Sequence, residues 1–232
     1  MTALEYFGDW SKVLDVSEAE RILHALSSSK QPICPLLKNV FKAFSLCSLH
    51  DLKVVILGQD PYSTLHDGVP VATGLAFANA KDTSEECFSP SLDVLMESVI
   101  NFSMPHEVIT FDPTLERWSE QGVLMLNSAL TCLAGQPGSH TLLWQPFIRS
   151  FLTRLSAHDT GIVYVLMGSE AQSFEPYINH RFNHILKTRH PSWYARTSTS
   201  MPPAIWLQVN ALLKGLYGFG IHWYEEQDVY LS

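Results

Sequence analysis

Cysteine is scarce in this sequence of 232 residues, and metal-binding patterns are absent. None of the four cysteines stands in a C-x-x-C pair, and none of the ten histidines belongs to an H-E-x-x-H motif. Structural zinc and iron–sulfur sites use closely spaced ligands of these types. We therefore predict reduced, mostly buried thiols, and no metal or cofactor.

Long apolar runs are also missing. No stretch of about 18 apolar residues suggests a membrane span, and no charged-then-apolar leader is present. The composition, 46% hydrophobic and 16% charged, suits one compact α/β domain. We expect a single domain over residues 1–232, located in the cytoplasm, or in the nucleus if the host is eukaryotic.

Three motifs of common enzyme classes do not occur. The chain lacks the phosphate-binding patterns G-x-x-x-x-G-K-[ST] and G-x-G-x-x-G, and it lacks the G-x-S-x-G nucleophile elbow. Any catalysis must therefore rest on groups other than a phosphate-binding loop or an activated serine of that type.

Acidic residues are absent from residues 176–224, although the formal net charge of the chain is −8. This segment has a formal charge of +5, which leaves −13 for the remainder; its basic residues are Arg181, Lys187, Arg189, Arg196 and Lys214. Lys and Arg supply most of the affinity for nucleic acids. The asymmetry predicts a polyanion-binding face, with chance clustering as the alternative.

Helices are predicted from caps and from apolar spacing. A capping box at Ser17-Glu18-Ala19-Glu20 predicts a helix over residues 18–28. Ser89-Pro90-Ser91 opens another, and Asp112-Pro113 predicts the start of a short helix through Trp118. Helical spacing of apolar residues predicts further helices over residues 36–46, 144–155 and 204–216.

Four short apolar runs predict buried strands at residues 53–57, 123–126, 162–167 and 184–187. Residues 74–78 are predicted to be extended, after a polar loop that ends at residue 73. Each of the four strands is followed by a polar residue and then a helix, which predicts an open parallel sheet. Residues just past the carboxyl ends of such strands share one crevice. We expect Asp60, Asn127, Ser169 and His190 to converge there.

Three of these residues suggest a reaction. A carboxylate can stabilise a cation or position water, an amide can read donor and acceptor edges, and an imidazole can stabilise an oxyanion. Asp60, Asn127 and His190 thus suit cleavage of a glycosidic bond through an oxocarbenium-like state. Taken singly, each has an ordinary structural explanation as a turn former, a cap or a core residue. Their joint order favours a site.

Six motifs in the chain resemble those of the family-1 uracil-DNA glycosylases, in the same order and at similar spacing over about residues 36–223. They are GQDPY at 58–62, GLAF at 74–77, SPSL at 89–92, GVLMLNSALT at 122–131, GS followed by AQ at 168–172, and HPS at 190–192. The resemblance implies a three-layer α/β/α fold with a four-stranded, mostly parallel sheet. It also implies a monomer that removes a flipped-out base from DNA without metal or cofactor.

Roles at the base follow from this resemblance. It implies that Asp60 orients the attacking water and stabilises the sugar cation, while His190 stabilises the anionic O2 of the departing pyrimidine. Gln59 and Asn127 would bind the base, Phe77 would stack on it, and Tyr62 would stand against C5. The resemblance also implies contacts to the DNA strand from Ser89, Ser91, Ser169 and Ser192, and we expect further contacts from Trp193, Tyr194 and Arg196.

The chain departs from the family pattern near the base pocket and the DNA. Ser63 replaces the usual His, the loop from there to Gly74 is about four residues longer, and Val71-Ala72-Thr73 replaces a polar pair. Trp193-Tyr194-Ala195 stands where the family has Pro-Leu-Ser, and residues 197–203 replace a segment rich in Gly and Phe. We therefore predict that Trp193 and Tyr194 form an aromatic wedge that enters the DNA stack.

Three functions remain open from the sequence. The first is release of uracil in base-excision repair, and the second is release of a C5-modified pyrimidine, such as glucosylated hydroxymethylcytosine in phage DNA. The third is a catalytically silent relative that binds DNA or a protein. The intact Asp60, Asn127 and His190 favour an active glycosylase.

Overall fold

The computed structural model describes residues 7–101 and 109–226 of the chain. Its strands are β1 (Ile33–Cys34), β2 (Val54–Gly58), β3 (Leu65–His66), β4 (Val69–Pro70), β5 (Ile109–Thr110), β6 (Val123–Asn127), β7 (Cys132–Leu133), β8 (Val163–Met167), β9 (His184–Thr188) and β10 (Glu225–Glu226). Its α-helices are α1 (Val16–Ser27), α2 (Lys42–Leu46), α3 (Pro90–Ile100), α4 (Glu116–Glu120), α5 (Thr141–His158), α6 (Ser169–Gln172), α7 (Pro191–Thr197) and α8 (Ala204–Tyr217).

A four-stranded sheet in the order β6-β2-β8-β9 lies at the centre of the fold. All three strand pairs are parallel, and the register places Gly58 beside Asn127 at the carboxyl ends of β2 and β6. Every residue of β2, β6 and β8 is buried, whereas β9 is partly exposed. Burial on both faces explains why these strands are continuous apolar runs without alternation. The four predicted strands are confirmed.

Helices cover both faces of the sheet. Val55 and Leu57 pack into one apolar cluster with side chains of α1, α2 and α5. Val54 and Ile56, which point to the other face, pack into a second cluster with side chains of α3, α7 and α8. Successive strand residues point to opposite faces, so one strand serves both clusters. The predicted three-layer α/β/α fold is confirmed.

Two helix starts differ from the prediction. The carboxylate of Asp15 caps α1 and accepts the Glu18 N–H at 3.1 Å, while the Ser17 hydroxyl donates to that same carboxylate at 2.8 Å. A carboxylate is a strong acceptor at a helix N-terminus, so the cap lies before the predicted capping box. The Asp112 carboxylate accepts the Thr114 N–H at 2.9 Å and thereby stabilises a turn, so that α4 begins only at Glu116.

The helix predicted over residues 36–46 is interrupted. A 3-10 helix spans Leu37–Asn39, and the short helix α2 follows at Lys42. Between them Phe41 leaves helical geometry, with φ −109° and ψ 19°, and its side chain is buried in the first cluster.

Two loop segments also differ from the prediction. Residues 74–78 form a turn, not an extended segment, and Phe77 adopts the left-handed conformation with φ 66°. The polar loop before residue 73 contains a hairpin in which β3 pairs with β4, so that Leu65 lies opposite Pro70. Asp67 and Gly68 form its tight turn, and both have positive φ.

Most of the cysteines are buried, as predicted. Cys34, Cys47 and Cys132 are buried free thiols, and Cys87 is exposed. Over residues 7–101 and 109–226, no helix combines the length and the apolar character that a bilayer crossing needs.

Candidate active site

Asn127, Phe77 and His190 meet at the carboxyl edge of the sheet, as predicted for Asn127 and His190. A Cβ atom built on Gly58 would lie 2.6 Å from Asn127 Oδ1 and 2.8 Å from Phe77 Cζ. The ring centroids of Phe77 and His190 are 5.5 Å apart. A Cβ on Gly168 would lie 2.8 Å from the Cβ of His190. Glycine at both strand ends therefore permits these side chains to approach one another.

Asp60 lies two residues beyond β2 and is half-buried. Its Oδ2 accepts the Gly138 N–H at 2.5 Å, and no hydrogen bond from the described residues reaches Oδ1. Burial raises the pKa of Asp60, the Gly138 N–H opposes that rise, and the negative charge of Glu170 adds to it. One oxygen thus fixes the carboxylate while the other is available to accept a hydrogen bond from water.

His190 is the N-cap residue of α7, and its ring is oriented by Ser192. The Ser192 N–H donates to Nδ1 at 3.2 Å, and the Ser192 hydroxyl lies 2.8 Å from the same atom. Burial lowers the pKa of His190 to about 4, and the positive charge of Arg196 contributes to the decrease. The ring is therefore neutral near pH 7. Because Nδ1 is an acceptor, the proton lies on Nε2, which is free to donate.

Asn127 is 8% exposed, and its side-chain amide forms no hydrogen bond with the described residues. Ser128, the next residue, links the turn that contains Asp60 to β6 through two hydrogen bonds. The Ser128 N–H donates to the Gly58 carbonyl at 3.1 Å, and the Ser128 hydroxyl donates to the Gln59 carbonyl at 2.9 Å. Gln59 thus supports the site through its backbone, while the Asn127 amide keeps donor and acceptor groups for a ligand.

Tyr62 and Phe77 are linked to each other. The Tyr62 hydroxyl donates to the Phe77 carbonyl at 2.8 Å, and burial raises the pKa of Tyr62, so the phenol stays neutral. Phe77 is 6% exposed, and its positive φ is uncommon for a bulky residue. Such backbone strain is concentrated at functional sites, where surrounding structure maintains it.

The four predicted serines occupy different environments. Ser89 and Ser169 lie at the starts of α3 and α6, and Ser169 is exposed. Ser192 is half-buried because it contacts His190. Ser91 is only 5% exposed, so it presents little surface for a phosphate.

Tyr194 contradicts the predicted wedge. It is 8% exposed, packs in the second apolar cluster, and its hydroxyl lies 3.3 Å from Thr188 Oγ1. The physical reason is that residues 191–197 form a helix packed against α3, which turns Tyr194 inward. Trp193 is half-exposed, and the Arg189 guanidinium lies 3.9 Å from its ring centroid. Trp193 is the aromatic residue that this helix leaves accessible.

Only part of the basic segment lies at the site. Arg189 and Arg196 are exposed on either side of His190, whereas Lys187 forms an ion pair with Glu175 at 2.5 Å. Arg181 precedes β9 and therefore lies at the opposite, amino edge of the sheet. Lys214 lies there too, near the end of α8, where the Tyr217 hydroxyl donates to the Gly161 carbonyl just before β8. The predicted polyanion-binding face is thus limited to two of the five basic residues.

Several residues near the site were not predicted from the sequence to be site residues. Gly138 holds Asp60, Glu170 raises its pKa, Arg189 stacks on Trp193, and Asn79 accepts the Ser89 N–H at 3.3 Å. Arg189 and Glu170 adjoin predicted motifs, and that adjacency was the available signal. Gly138 and Asn79 are distant in sequence from their partners and gave none. Among the described residues, no three His, Cys, Asp or Glu side chains form a metal-binding group.

A half-buried carboxylate, a neutral imidazole and an amide without a hydrogen-bond partner among the described residues lie with the Phe77 ring at the carboxyl edge of a parallel sheet. Together with the α/β/α fold, this arrangement defines the glycosylase class of hydrolases, which bind a planar base and cleave its glycosidic bond. The family model described as the uracil DNA glycosylase superfamily matches residues 44–214. The chain belongs to this superfamily.

Individual relatives agree with this membership. The chain is 41% identical over 164 residues to a uracil-DNA glycosylase of Amoebophilus asiaticus, covering 70% of each chain. It is 40% identical over 174 residues to one of Salmonella paratyphi B, covering 73% of this chain and 72% of the relative.

Solved structures share the fold. The crystal structure of mimivirus uracil-DNA glycosylase aligns with a TM-score of 0.72 at 22% identity, covering 96% of this chain and 93% of the other. A variant of the mimivirus enzyme in complex with UGI aligns with a TM-score of 0.76 at 22% identity, covering 95% of this chain and 87% of the other.

Proposed function

We propose that this chain hydrolyses the N-glycosidic bond of uracil in DNA and leaves an abasic site, the first step of base-excision repair. The observation that carries the proposal is the convergence of Asn127, Phe77 and the neutral His190 beside Asp60, in a member of this superfamily. Relatives named uracil-DNA glycosylase at about 40% identity support the choice of base.

The reaction needs charge stabilisation on both sides of the bond. As the bond between C1′ and N1 breaks, its electron pair moves onto the base and the sugar becomes cationic. The Asp60 carboxylate stabilises that cation and orients water, whose oxygen then bonds to C1′ while its proton passes to the Asp60 carboxylate. The His190 Nε2–H donates a hydrogen bond to O2 of the leaving base, where negative charge develops. A preorganised donor of this kind stabilises the transition state without reorganisation.

Recognition of the base uses its edge and its face. The free Asn127 amide would bind the pairing edge, and Phe77 would stack on the ring. Tyr62 is held by its bond to the Phe77 carbonyl and packs against the cluster of Cys34, Ala72 and Cys132. These contacts hold Tyr62 in place despite the longer loop, which supports a role for Tyr62 in excluding a substituent at C5. This geometry favours uracil over a C5-modified pyrimidine. The Asn127 amide and the Asp60 Oδ1 have no hydrogen-bond partner among the described residues and so can bind substrate and water, which favours an active enzyme over a silent relative.

DNA would bind along the edge that carries His190. Ser89, Ser169 and Ser192 would contact phosphates together with Arg189 and Arg196, and Ser91 would contribute least. Trp193, and not Tyr194, would be the aromatic side chain that enters the base stack of the DNA. We further propose that the chain works as a monomeric single domain, in the cytoplasm or, in a eukaryotic host, the nucleus.

Base release from a panel of DNAs tests the proposal. Oligonucleotides carry uracil, thymine, or hydroxymethylated or glucosylated cytosine, and the free base is quantified. We expect release of uracil alone from the wild type, and release of thymine as well from Tyr62→Ala, because that variant opens space at C5. Tyr217→Ala, at the opposite edge of the sheet, is the control and should behave as the wild type. Release of a modified cytosine without uracil would overturn the assignment.

The same assay on single-stranded and duplex DNA tests Trp193. Trp193→Ala should slow duplex cleavage more than single-strand cleavage, because base stacking offsets the cost of flipping by roughly 1–3 kcal/mol per aromatic. Phe219→Ala removes an exposed aromatic residue at the other edge and should change neither rate. Equal slowing on both substrates would instead assign Trp193 to general strand binding.

A further inference from the structure

The hairpin β3–β4 borders a groove that the catalytic site does not use. The groove has a volume of about 380 Å³ and separates the hairpin from the loop that leads from Phe77 to α3. Its lining includes Val69, Pro70, Val71, Asn79, Ala80 and Asp82. A volume of this size is within the range of small-ligand sites. The hairpin is also where the chain departs from the pattern of motifs, so the groove is a feature of this chain's own loop.

Asn79 gives the groove an unused hydrogen-bond donor. The residue is 1% exposed, and its Oδ1 accepts the Ser89 N–H at 3.3 Å while its backbone N–H donates to the Pro113 carbonyl at 2.9 Å. Its Nδ2 is buried and has no hydrogen-bond partner among the described residues. The contact at Oδ1 orients the side-chain amide. A buried donor that lacks a partner is costly, so an acceptor brought by a ligand would relieve that cost.

The charges around the groove select the kind of acceptor. Asp82 lines it, no Lys or Arg does, and the side chains of Glu85 and Glu86 are exposed in the same loop. Lys81 lines a neighbouring cavity, which shares Val69, Pro70, Val71, Asn79 and Ala80 with the groove. A phosphate placed inside the groove would lie close to the Asp82 carboxylate and be repelled by it. An uncharged carbonyl oxygen on a planar ring fits better, because the ring face can lie on the apolar surface of Val69, Pro70 and Ala80.

The position of the groove indicates which planar ring would bind in it. Asn79 is two residues from Phe77, which belongs to the base pocket, and it holds Ser89, one of the proposed phosphate contacts. A DNA strand whose base enters the pocket therefore passes beside the groove. We propose that the groove binds the base of a nucleotide next to the flipped one on the same strand, with Asn79 Nδ2 donating to a carbonyl oxygen of that base. This proposal rests on the proposed function.

Single-turnover uracil release from single-stranded oligonucleotides tests this proposal. Each neighbour of uracil in turn carries thymine, guanine, adenine or no base. With the wild type, we expect removal of the base at one neighbouring position to lower kcat/KM by roughly three- to tenfold, the size expected for one hydrogen bond. Adenine, which has no carbonyl, should fall between thymine and the abasic nucleotide.

Two variants make the test specific. Asn79→Asp keeps the acceptor for the Ser89 N–H but removes the Nδ2 donor, so it should cleave the thymine and abasic substrates at similar rates. Val69→Ser weakens the apolar wall at an exposed position and should reduce the preference without endangering the fold. Leu207→Ser is the matched control, since both residues are 57% exposed and Leu207 lies on α8. It should keep the wild-type preference.

The outcomes separate the two proposals. Uracil release that is equal with and without neighbouring bases would reject the groove proposal alone. A preference that survives in both Val69→Ser and Asn79→Asp would also reject it. Failure to release uracil from any oligonucleotide would reject the proposed function itself.

Discussion

The base pocket and the rim that would hold DNA differ in how the fold supports them. In the pocket, backbone contacts position the reactive residues: the Gly138 N–H holds the Asp60 carboxylate, the Ser192 N–H holds the His190 ring, and pairing with Gly58 fixes the backbone of Asn127. On the rim, Ser169, Arg189 and Arg196 are exposed. Groups that act on developing charge must be in place before the reaction, because moving them during it costs free energy. Groups that hold a flexible strand need only be within reach.

The two regions also differ in electrostatics. Burial lowers the pKa of His190 and raises the pKa of Asp60, and each shift disfavours the charged form. The exposed guanidinium groups on the rim stay charged and can neutralise phosphates. The comparison therefore predicts large, specific losses from changes in the pocket and smaller, salt-dependent losses from changes on the rim.

The largest effect is expected at the two charge-stabilising groups. Asp60→Asn and His190→Ala should each lower the rate of uracil release by roughly 10²–10³, the scale of a lost electrostatic stabiliser. Thermal unfolding should show that both variants fold, and His24→Ala, an exposed histidine on α1, serves as the control. Near-full activity in either pocket variant would contradict the site.

A smaller loss is expected from one added methyl group in the pocket. Gly58→Ala would place a Cβ within 3 Å of both Asn127 and Phe77, so both must move. Misplacement of about 1 Å can cost up to roughly 10²-fold in rate, and we expect a decrease of about 10- to 100-fold in kcat/KM. Gly215→Ala on α8 meets no atom within 4 Å and should instead stabilise the fold by roughly 0.5–1 kcal/mol. Equal activity of the two variants would show that the pocket is not so tightly packed.

On the rim, the effect should depend on salt. Arg189→Gln and Arg196→Gln should each weaken DNA binding and make the slope of log K against log salt less steep by about 0.7–0.9, as expected for one lost phosphate contact. Arg181→Gln removes the same charge at the amino edge of the sheet and should leave the slope unchanged. Equilibrium binding at several salt concentrations measures this. Equal effects of all three substitutions would indicate instead that the whole segment 176–224 binds DNA.

The smallest effect concerns pH. The negative charge of Glu170 helps to raise the pKa of Asp60, and catalysis needs Asp60 ionised. Glu170→Gln should therefore lower that pKa and move the acidic limb of the pH–rate profile to lower pH, while Glu20→Gln on α1 should not. His190, with a pKa of about 4, is already neutral at pH 6.5 and should add no limb there. A limb near 6.5 that disappears in His190→Ala would contradict the neutral imidazole.

Local sequence determined the part of the molecule where chain neighbours decide the structure. Val54 to Leu57 form a strand because they are branched and apolar and are bounded by glycine and proline, and parallel pairing then places Asp60, Asn127 and His190 at one edge. The sequence therefore predicted the sheet, both faces of helices and the three polar groups.

Tertiary packing alone decided which way the remaining residues face. Tyr194 is buried and Trp193 is half-exposed because α7 packs on α3. The residues next to them in the sequence do not indicate which of the two aromatic side chains faces inward. Arg181 and Arg189 have the same charge but lie at opposite edges because β9 separates them. Asn79, Gly138 and Phe77 depend on partners far away in the chain. Such placements follow from contacts between elements, and the sequence of one element contains no information about the surface it will meet.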